Sequence, residues 1–218
     1  RLYKSGSSTP AKGCCSPDDL FDARSVATEL GIPFYVVNYQ DEFQARVIDH
    51  FVSEYRRGRT PSPCVLCNDY LKFNTLLELV DSVGAGWLAT GHYAQIDQDE
   101  SGRWRLRRGV DPTKDQSYFL FGIKRELLAK ILFPLGGMTK DQVRELAGAQ
   151  DLPTATKAES QDLCFVGGNN YLSFLEKRLP ESERIPGELV HVESGEVLGT
   201  HDGIHRYTIG QRKGLGIG

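Results

Sequence analysis

The sequence predicts an α/β fold in which helices cover both faces of a parallel sheet, followed by part of a small β-rich domain. Over residues 1–90, amphipathic helical patterns alternate with short β-rich runs, and strands separated by helices imply parallel pairing. After Gly91 the pattern changes to hairpin-like segments, and from Gly187 glycines punctuate short β-like runs. We expect one domain over residues 1–166 and a second over residues 167–218.

The first predicted helix begins at Pro17, behind the N-cap Ser16, and ends at Gly31. Its apolar positions recur at spacings of three and four and define one face, made of Leu20, Ala23, Ala27 and Leu30. The apolar, β-rich run 32–37 follows directly. A short continuous apolar run is typical of a buried parallel strand.

Two further helices and a strand complete the predicted α/β part. Gly58 ends the second helix, whose apolar residues recur at helical spacing at Phe43, Val47, Phe51 and Tyr55. The third helix is expected from about Asn68 to Val83, and a strand follows at 87–90.

Shorter elements are predicted after Gly91. Glycine and polar residues indicate turns between paired strands, and the first such hairpin is expected at 92–97 and 103–108. A second turn is expected at 193–195. Helical patterns recur at 114–121, 125–132, 140–149 and 170–179. The third of these helices begins with a capping box formed by Thr139 and Gln142.

The overall charge limits the class of protein. The chain has 218 residues, with 26 Lys and Arg against 29 Asp and Glu, and its formal charge of −3 excludes a uniformly basic nucleic-acid coat. The clearest local basic cluster lies on one predicted strand and consists of Arg103, Arg105, Arg107 and Arg108, with Trp104 among them. Such a strand either binds phosphate groups or is a solvated edge that charge protects from aggregation.

The apolar runs, the cysteines and the chain ends indicate the cellular setting and the extent of the protein. No apolar run is long enough for a transmembrane helix, so no membrane partner is expected. Five cysteines, an odd number, argue against a secreted disulfide framework and favour a cytoplasmic protein. Because the chain begins with Arg1 and its only methionine is Met138, we expect an excerpt of a longer protein.

Cys64 and Cys67 form a Cys-x-x-Cys pair after the proline-stiffened segment 59–63. A thiol at a helix N-terminus has a depressed pKa, because the positive end of the helix dipole stabilises the thiolate. This environment suits a nucleophile, a redox pair or a ligand for a soft metal. Structural zinc requires four ligands, and no second pair completes the set.

Other candidates are weaker when taken singly. Cys164 follows a polar run, which favours a surface loop over a core position, whereas the adjacent Cys14 and Cys15 are assigned a structural role. Gly91 and His92 follow a predicted strand, where ligands of parallel sheets bind, although a structural histidine fits equally well. The run 114–116 combines hydrogen-bond donor and acceptor side chains, which suits a binding site. The solvated start of a helix would have the same composition.

Taken together and in this order, the motifs are much more specific. They are CCSPDDLFDAR (14–24), GIPFYVVN (31–38), GRTP (58–61), CVLCN (64–68), ATGHY (89–93), KDQSYFL (114–120), SQDLCF (160–165) and YTIGQRKGLG (207–216). The set closely resembles the bacterial tRNA-specific 2-thiouridylase family, MnmA, over essentially the whole chain.

The resemblance implies a fold and an activity. The fold would be a PP-loop ATP pyrophosphatase domain, followed by a small central β domain and a C-terminal β-barrel. The enzyme would use ATP, with Mg²⁺, to adenylate the C2 oxygen of a wobble uridine in tRNA. Sulfur would then replace that oxygen, supplied as a persulfide by a sulfur-relay protein.

The resemblance also assigns roles to residues. Cys164 matches the persulfide carrier and Cys67 its partner thiol, which would attack the persulfide or form a disulfide with Cys164. The segment that touches the target base matches Ser62, Pro63 and Cys64. Gly91 matches an ATP contact. The positions that match tRNA contacts are His92, Lys114, Asp115 and Gln116.

Two departures from the family pattern bear on these roles. The PP-loop, Ser-Gly-Gly-x-Asp-Ser, is expected upstream of Arg1 and the barrel beyond the last residue, so we expect the excerpt alone to be inactive. Position 64 is Asp in some relatives. Here Cys64, Cys67 and Cys164 are a set that could hold a [4Fe–4S] cluster with one open iron. We prefer the persulfide route; the alternatives are this iron–sulfur route and a non-catalytic RNA-binding module with a cysteine-ligated metal.

Overall fold

The computed structural model describes residues 17–157, 163–166 and 170–217, and helices dominate its first third. Helix α1 (Pro17–Glu29) has proline at its first position and two acidic residues in its first turn, and Gly31 (φ +64°) ends it, as predicted. The N-cap Ser16 and both Cys14 and Cys15 lie outside the described residues. The predicted apolar face is only partly buried, because Ala27 alone among its positions is buried.

Helix α2 spans residues 40–56 without a break. It consists of the α-helical Gln40–Phe43, the π-helical Gln44–Ile48 and the α-helical Asp49–Arg56. Gly58 (φ +70°) follows its end. The prediction for this helix is confirmed, since its marker residues are all buried: Phe43, Val47, Phe51 and Tyr55.

Helix α3 spans residues 63–82 and begins earlier than the predicted start at Asn68. Its parts are the α-helical Pro63–Leu66, the π-helical Cys67–Thr75 and the α-helical Leu76–Ser82. Proline suits the first position of a helix, where the backbone N–H has no partner, and this explains the earlier start. Both Cys64 and Cys67 therefore lie on the first turns of a helix.

The predicted strand at 32–37 is wrong. The segment has no strand pairing, and Ile32, Tyr35 and Val36 are exposed. A strand forms only when a neighbour takes its backbone hydrogen bonds, and no described segment pairs with this run. The parallel pairing that an α/β fold requires is present between β1 (Leu88–Ala89) and β4 (Ile131–Leu132).

The two predicted hairpins are confirmed. Strand β2 (Ala94–Gln98) pairs antiparallel with β3 (Trp104–Arg108), and β5 (Gly187–Val190) pairs antiparallel with β6 (Val197–His201). Gly102 (φ +78°) forms the first turn, where a side chain would strain the backbone.

The later helices are confirmed in part. Helix α4 (Lys140–Ala149) begins with the expected capping box of Thr139 and Gln142, and α5 (Tyr171–Glu176) is capped by Asn170. The helix expected at 114–121 is only the 3₁₀ turn Ser117–Leu120. The one expected at 125–132 is the 3₁₀ turn Arg125–Lys130 followed by strand β4, because β1 pairs with these last residues.

Two hydrophobic cores lie on either side of α3. The first contains Cys67 and Leu71 with residues of α2 and α5, and the second contains Phe73 and Leu77 with residues near β2 and β4. In the first core, the ring of Phe165 contacts three other rings, with centroids 5.8, 5.4 and 5.1 Å away, in Phe43, Phe51 and Phe174.

Helix α5 lies beyond the expected boundary at residue 166 but contributes Phe174 and Leu175 to the first core, and the boundary itself stays a prediction. Within the described ranges, we find no helix that is both long and apolar enough to span a bilayer.

Candidate active site

Three cysteines line one small cavity beside the first core. This cavity, here called the thiol cavity, has a volume of about 260 Å³. All three thiols are free of disulfide bonds. Its lining includes Pro63, Cys64, Cys67, Asn68, Lys72, His92, Gln116, Phe119 and Cys164. Residues from motifs that are far apart in the sequence therefore meet in one place.

A second cavity, here called the Gly91 cavity, shares part of its wall with the thiol cavity. It has a volume of about 540 Å³ and lies where β1 ends, at Thr90 and Gly91. This is the position at which parallel sheets bind ligands. The wall that the two cavities share consists of Lys72, His92 and Gln116. A group bound at Gly91 and a group bound at the thiols would therefore meet at these three side chains.

The π-helical stretch of α3 explains why Lys72 lies in the same cavity as Cys67. The two residues are five positions apart, which in a regular α-helix places them on different faces. In a π-helix the hydrogen bonds join residues five apart, so residues at this spacing lie above one another. Cys67 is the first residue of the π-helical stretch and Lys72 lies within it. Local helix geometry thus brings a cation to the thiols.

Burial and charge act in opposite directions on Cys64. The residue is exposed at the protein surface, but the cavity walls withdraw water from its thiol, and this desolvation raises the pKa of Cys64. The ammonium group of Lys72 acts to lower it. The expectation of a depressed pKa at the helix N-terminus is wrong for Cys64, because desolvation outweighs the favourable charges.

His92 is buried and held in the neutral form. Its Nδ1 lies 2.8 Å from Oγ1 of Thr90, and its ring packs against Phe73 and Phe133, with both centroids 5.7 Å away. Burial, and secondly the charge of Lys72, lower the pKa of His92 to about 4. The imidazole is therefore uncharged at neutral pH.

The three residues of the run 114–116 have different surroundings. The Oε1 of Gln116 accepts a hydrogen bond from the backbone N–H of Tyr93 (3.0 Å), and the backbone N–H of Gln116 donates to the Tyr93 carbonyl (2.9 Å). These bonds hold Gln116 in the shared wall. Neither Lys114 nor Asp115 lines either cavity.

Asp115 instead organises the backbone around it. Its carboxylate accepts hydrogen bonds from the backbone N–H groups of Gly109 and Ser117. Burial acts to raise the pKa of Asp115, but these hydrogen bonds outweigh that effect and lower the pKa.

Ser62 is the residue before α3, and its carbonyl accepts a hydrogen bond from the backbone N–H of Val65.

Sequence reasoning missed two residues of the thiol cavity, Asn68 and Lys72. Asn68 stood inside the quoted motif 64–68 but was given no role. It is only 3 % exposed, and its Nδ2 donates a hydrogen bond to the carbonyl of Phe119 (2.9 Å). The sequence gives no signal for a π-helix. On a regular α-helix of 3.6 residues per turn, Lys72 would lie on a different face from Cys67, so it was not assigned to the site.

The thiols do not form a metal site in this conformation. Among the described residues, no group of three or more His, Cys, Asp or Glu side chains is placed to hold a metal ion. Thiolates are suitable ligands for an iron–sulfur cluster by their chemistry, but here Cys64, Cys67 and Cys164 are not gathered as a ligand set.

The basic cluster on β3 is partly neutralised by one carboxylate. Asp97 on β2 accepts hydrogen bonds from Arg105 (2.8 and 3.0 Å) and from Arg107 (2.7 Å). The hydrogen bonds of Arg105, and secondly those of Arg107, lower the pKa of Asp97. Arg103 pairs with Asp99. The strand keeps an excess of positive charge, which is smaller than its sequence suggests.

Comparison with known proteins identifies the chain. A family model described as the tRNA methyl transferase HUP domain matches residues 2–168. The chain belongs to this family. A second model, described as the tRNA methyl transferase PRC-barrel domain, matches residues 172–218. Membership in the HUP-domain family confirms the predicted α/β fold followed by a β-rich region.

Curated relatives of this HUP-domain chain carry the name tRNA-specific 2-thiouridylase MnmA. The relative from Geotalea uraniireducens is 57 % identical over 94 % of the chain and 54 % of its own length. Those from Solibacter usitatus and Acidobacterium capsulatum are each 52 % identical, over 94 % and 98 % of the chain and 56 % and 59 % of their own lengths. The resemblance is confirmed, and the chain spans little more than half the length of these relatives.

Proposed function

We propose that the chain provides the sulfur-transfer part of an ATP-dependent tRNA-uridine 2-sulfurtransferase. The observation that carries the proposal is the shared wall. Three thiols line one cavity, Gly91 lines the next, and Lys72, His92 and Gln116 border both. A base lying between the cavities would meet an activated phosphate on one side and a sulfur nucleophile on the other. The name of the relatives, tRNA-specific 2-thiouridylase, supports the same reaction.

Adenylation would come first, because a uracil carbonyl oxygen is a poor leaving group. ATP would bind at the Gly91 cavity, where Mg²⁺ would be held largely by the phosphates themselves. The C2 oxygen of the uridine attacks the α-phosphorus and pyrophosphate leaves. Lys72 borders both cavities and would stabilise the negative charge that develops on the transferred phosphate.

Sulfur transfer would follow from a persulfide on Cys164. In one order of events, its terminal sulfur attacks C2 and AMP leaves; Cys67 then attacks Sγ of Cys164, releasing the thiocarbonyl sulfur and forming a disulfide. In the other order, Cys67 attacks first, and the hydrosulfide released attacks C2. Both leave 2-thiouridine, AMP and a Cys67–Cys164 disulfide. A dithiol reductant must supply two electrons to restore the enzyme.

The remaining assigned residues would hold the tRNA. Pro63 and Cys64 line the thiol cavity next to Ser62, where the target base would lie, and neutral His92 and Gln116 offer hydrogen bonds to it. Lys114 and Asp115 lie outside the cavities, where they would contact or position the anticodon loop. The partners are therefore a tRNA with a wobble uridine and a protein that donates persulfide, in a reducing cytoplasm.

The test is sulfur transfer in a full-length enzyme that contains this chain. With ATP, tRNA and a persulfide donor, Cys67→Ser and Cys164→Ser should each reduce 2-thiouridine formation at least about a thousandfold, because no other thiol replaces the lost step. Adenylated tRNA should accumulate in both variants. Thiolation that survives either substitution would remove that cysteine from the mechanism.

Cys64→Asp is the matched control and also tests the alternatives. On the persulfide route it should keep most of the activity, because Cys64 carries no sulfur on that route. Loss of activity, together with about four irons bound by the reconstituted parent protein, would favour the iron–sulfur route. Tight tRNA binding without any adenylation would favour a non-catalytic RNA-binding module.

A further inference from the structure

Asn68 carries a buried hydrogen-bond acceptor that the proposed reaction has not used. Its side chain is only 3 % exposed and lines the thiol cavity. Its Oδ1 has no hydrogen-bond partner among the described residues. An unpartnered carbonyl oxygen in a buried position destabilises the folded protein, because it has lost its hydrogen bonds to water. A native protein retains such an atom for a reason, and a bound group that satisfies it is one such reason.

The orientation of the Asn68 amide follows from its neighbour. Nδ2 donates to the carbonyl of Phe119 at 2.9 Å. If the amide were rotated by half a turn, Oδ1 would face that carbonyl, and two acceptors would repel each other. Phe119 therefore fixes Oδ1 as an acceptor, so the atom that would bind Oδ1 must be a donor.

We propose that Asn68 is a specificity-determining residue, whose Oδ1 accepts a hydrogen bond from N3–H of the target uracil. The inference rests on the proposed function. N3–H is the ring donor of a uridine base, whereas N3 of cytidine is an acceptor and would be repelled. Because N3 is bonded to C2, this hydrogen bond also places the reacting carbon in the cavity that Cys67 and Cys164 line.

The thiol cavity has the size that this role requires. A cavity of roughly 150 Å³ lined by apolar side chains admits benzene. The thiol cavity has about 260 Å³, which is sufficient for a pyrimidine ring. Phe119, which orients Asn68, also lines the cavity and is partly exposed, so its ring can stack on a base that has left the anticodon loop.

The experiment compares substrates in the full-length enzyme. Anticodon stem-loops carry uridine or 3-methyluridine at the wobble position, and the Kd of each is measured without ATP, because methylation of N3 also alters the reactivity of the C2 oxygen and would confound a thiolation rate. Wild type should prefer uridine by about tenfold to a hundredfold, because methylation removes the donor and leaves Oδ1 unpaired. In Asn68→Ala, which also leaves room for the methyl group, the preference should fall to within about threefold.

The outcomes separate the inference from the proposed function. Asn74→Ala, on the same helix but outside the thiol cavity, should keep the wild-type preference. An unchanged preference in Asn68→Ala would overturn the inference, since a purely structural role weakens binding of both stem-loops alike. Failure of wild type to thiolate uridine would instead overturn the proposed function.

A measurement on wild type decides the matter if Asn68→Ala does not fold. In a complex with a stem-loop labelled with ¹⁵N at N3 of the wobble uridine, the N3–H proton should be protected from exchange with water. A proton that exchanges as fast as in the free stem-loop would exclude the hydrogen bond.

Discussion

Thr90 and His92 are joined by a hydrogen bond of 2.8 Å between Oγ1 and Nδ1, directly after strand β1. The bond holds the imidazole between Phe73 and Phe133, where burial keeps it uncharged. The wall shared by the two cavities thus presents one ammonium group, from Lys72, and one neutral ring.

The neutral state of His92 predicts a pH dependence of stability. Its pKa is about 4 in the folded protein and about 6.5 when unfolded. The unfolded state therefore binds a proton first as the pH falls, so stability is complete above pH 6.5 and is lost between pH 6.5 and 4. Between pH 7 and pH 5 the free energy of unfolding should fall by about 2 kcal/mol on account of this residue.

Urea denaturation of His92→Gln tests this prediction, because the substitution should remove this part of the fall. His50 is exposed, and His50→Gln should not remove it. Equal pH profiles for wild type and His92→Gln would contradict the assignment.

Lys72 should control the titration of both its neighbours. Its ammonium group favours the thiolate of Cys64 and disfavours the protonated form of His92. In Lys72→Met the pKa of Cys64 should therefore rise further, and the pKa of His92 should rise towards its usual value. The pH dependence of Cys64 alkylation by iodoacetamide, followed by mass spectrometry of the Cys64 peptide, measures the first effect. Lys130→Met serves as the control, because Lys130 pairs with Asp81 in a different cavity. An alkylation profile that did not move in Lys72→Met would show that the two groups do not interact.

Asp97 should limit the affinity of the β3 arginines for RNA. Arg105→Ala together with Arg107→Ala is expected to weaken tRNA binding and to flatten its dependence on salt, because fewer counterions are released. Asp97→Asn should have the opposite effect, since it frees both guanidinium groups. Binding measured from 50 to 200 mM salt gives the slopes. If none of these variants changes the slope, β3 is a solvated edge and not an RNA-binding strand.

Gly136 should be needed for the close approach of its backbone to strand β2. A Cβ atom at this position would overlap the carbonyl oxygen of Ala94, the first residue of β2. Gly136→Ala should therefore destabilise the protein by about 1–3 kcal/mol or more, as overpacking of a rigid backbone does. Gly137→Ala is the matched control, because nothing lies within 4 Å of its Cβ position. Thermal unfolding of the two variants measures the difference, and equal midpoints would contradict the close approach.

Sequence reasoning predicted the elements whose signals are local. The periodicity of α2, the capping box at Thr139 and the turn at Gly102 depend on residues a few positions apart, and all three are present. The strand predicted at 32–37 is absent for a different reason. Its apolar residues indicate a strand, but a strand also needs a partner, and local sequence cannot supply one.

The candidate site was predicted in composition but not in detail. Ordered motifs indicated the three thiols, and these line one cavity. The position of Lys72 depends on the π-helical stretch, which no residue pattern reveals. The pKa of Cys64 depends on how much water the surrounding walls remove. Both properties arise only when distant segments pack together.

The contacts of Phe165 bear on how this chain can vary. Phe165 follows Cys164 directly, and its ring packs against Phe43, Phe51 and Phe174 in the same core that holds Cys67. The spacing between the two thiols should therefore depend on the volume of these buried aromatic side chains, two of which, Phe43 and Phe165, also line the thiol cavity. A change from Phe to Leu at such a position should leave the protein folded. It should nevertheless change the rate at which Cys67 and Cys164 form a disulfide. If the proposed function holds, substitutions in this buried aromatic core should impair sulfur transfer even though most of the core lies behind the cavity surface.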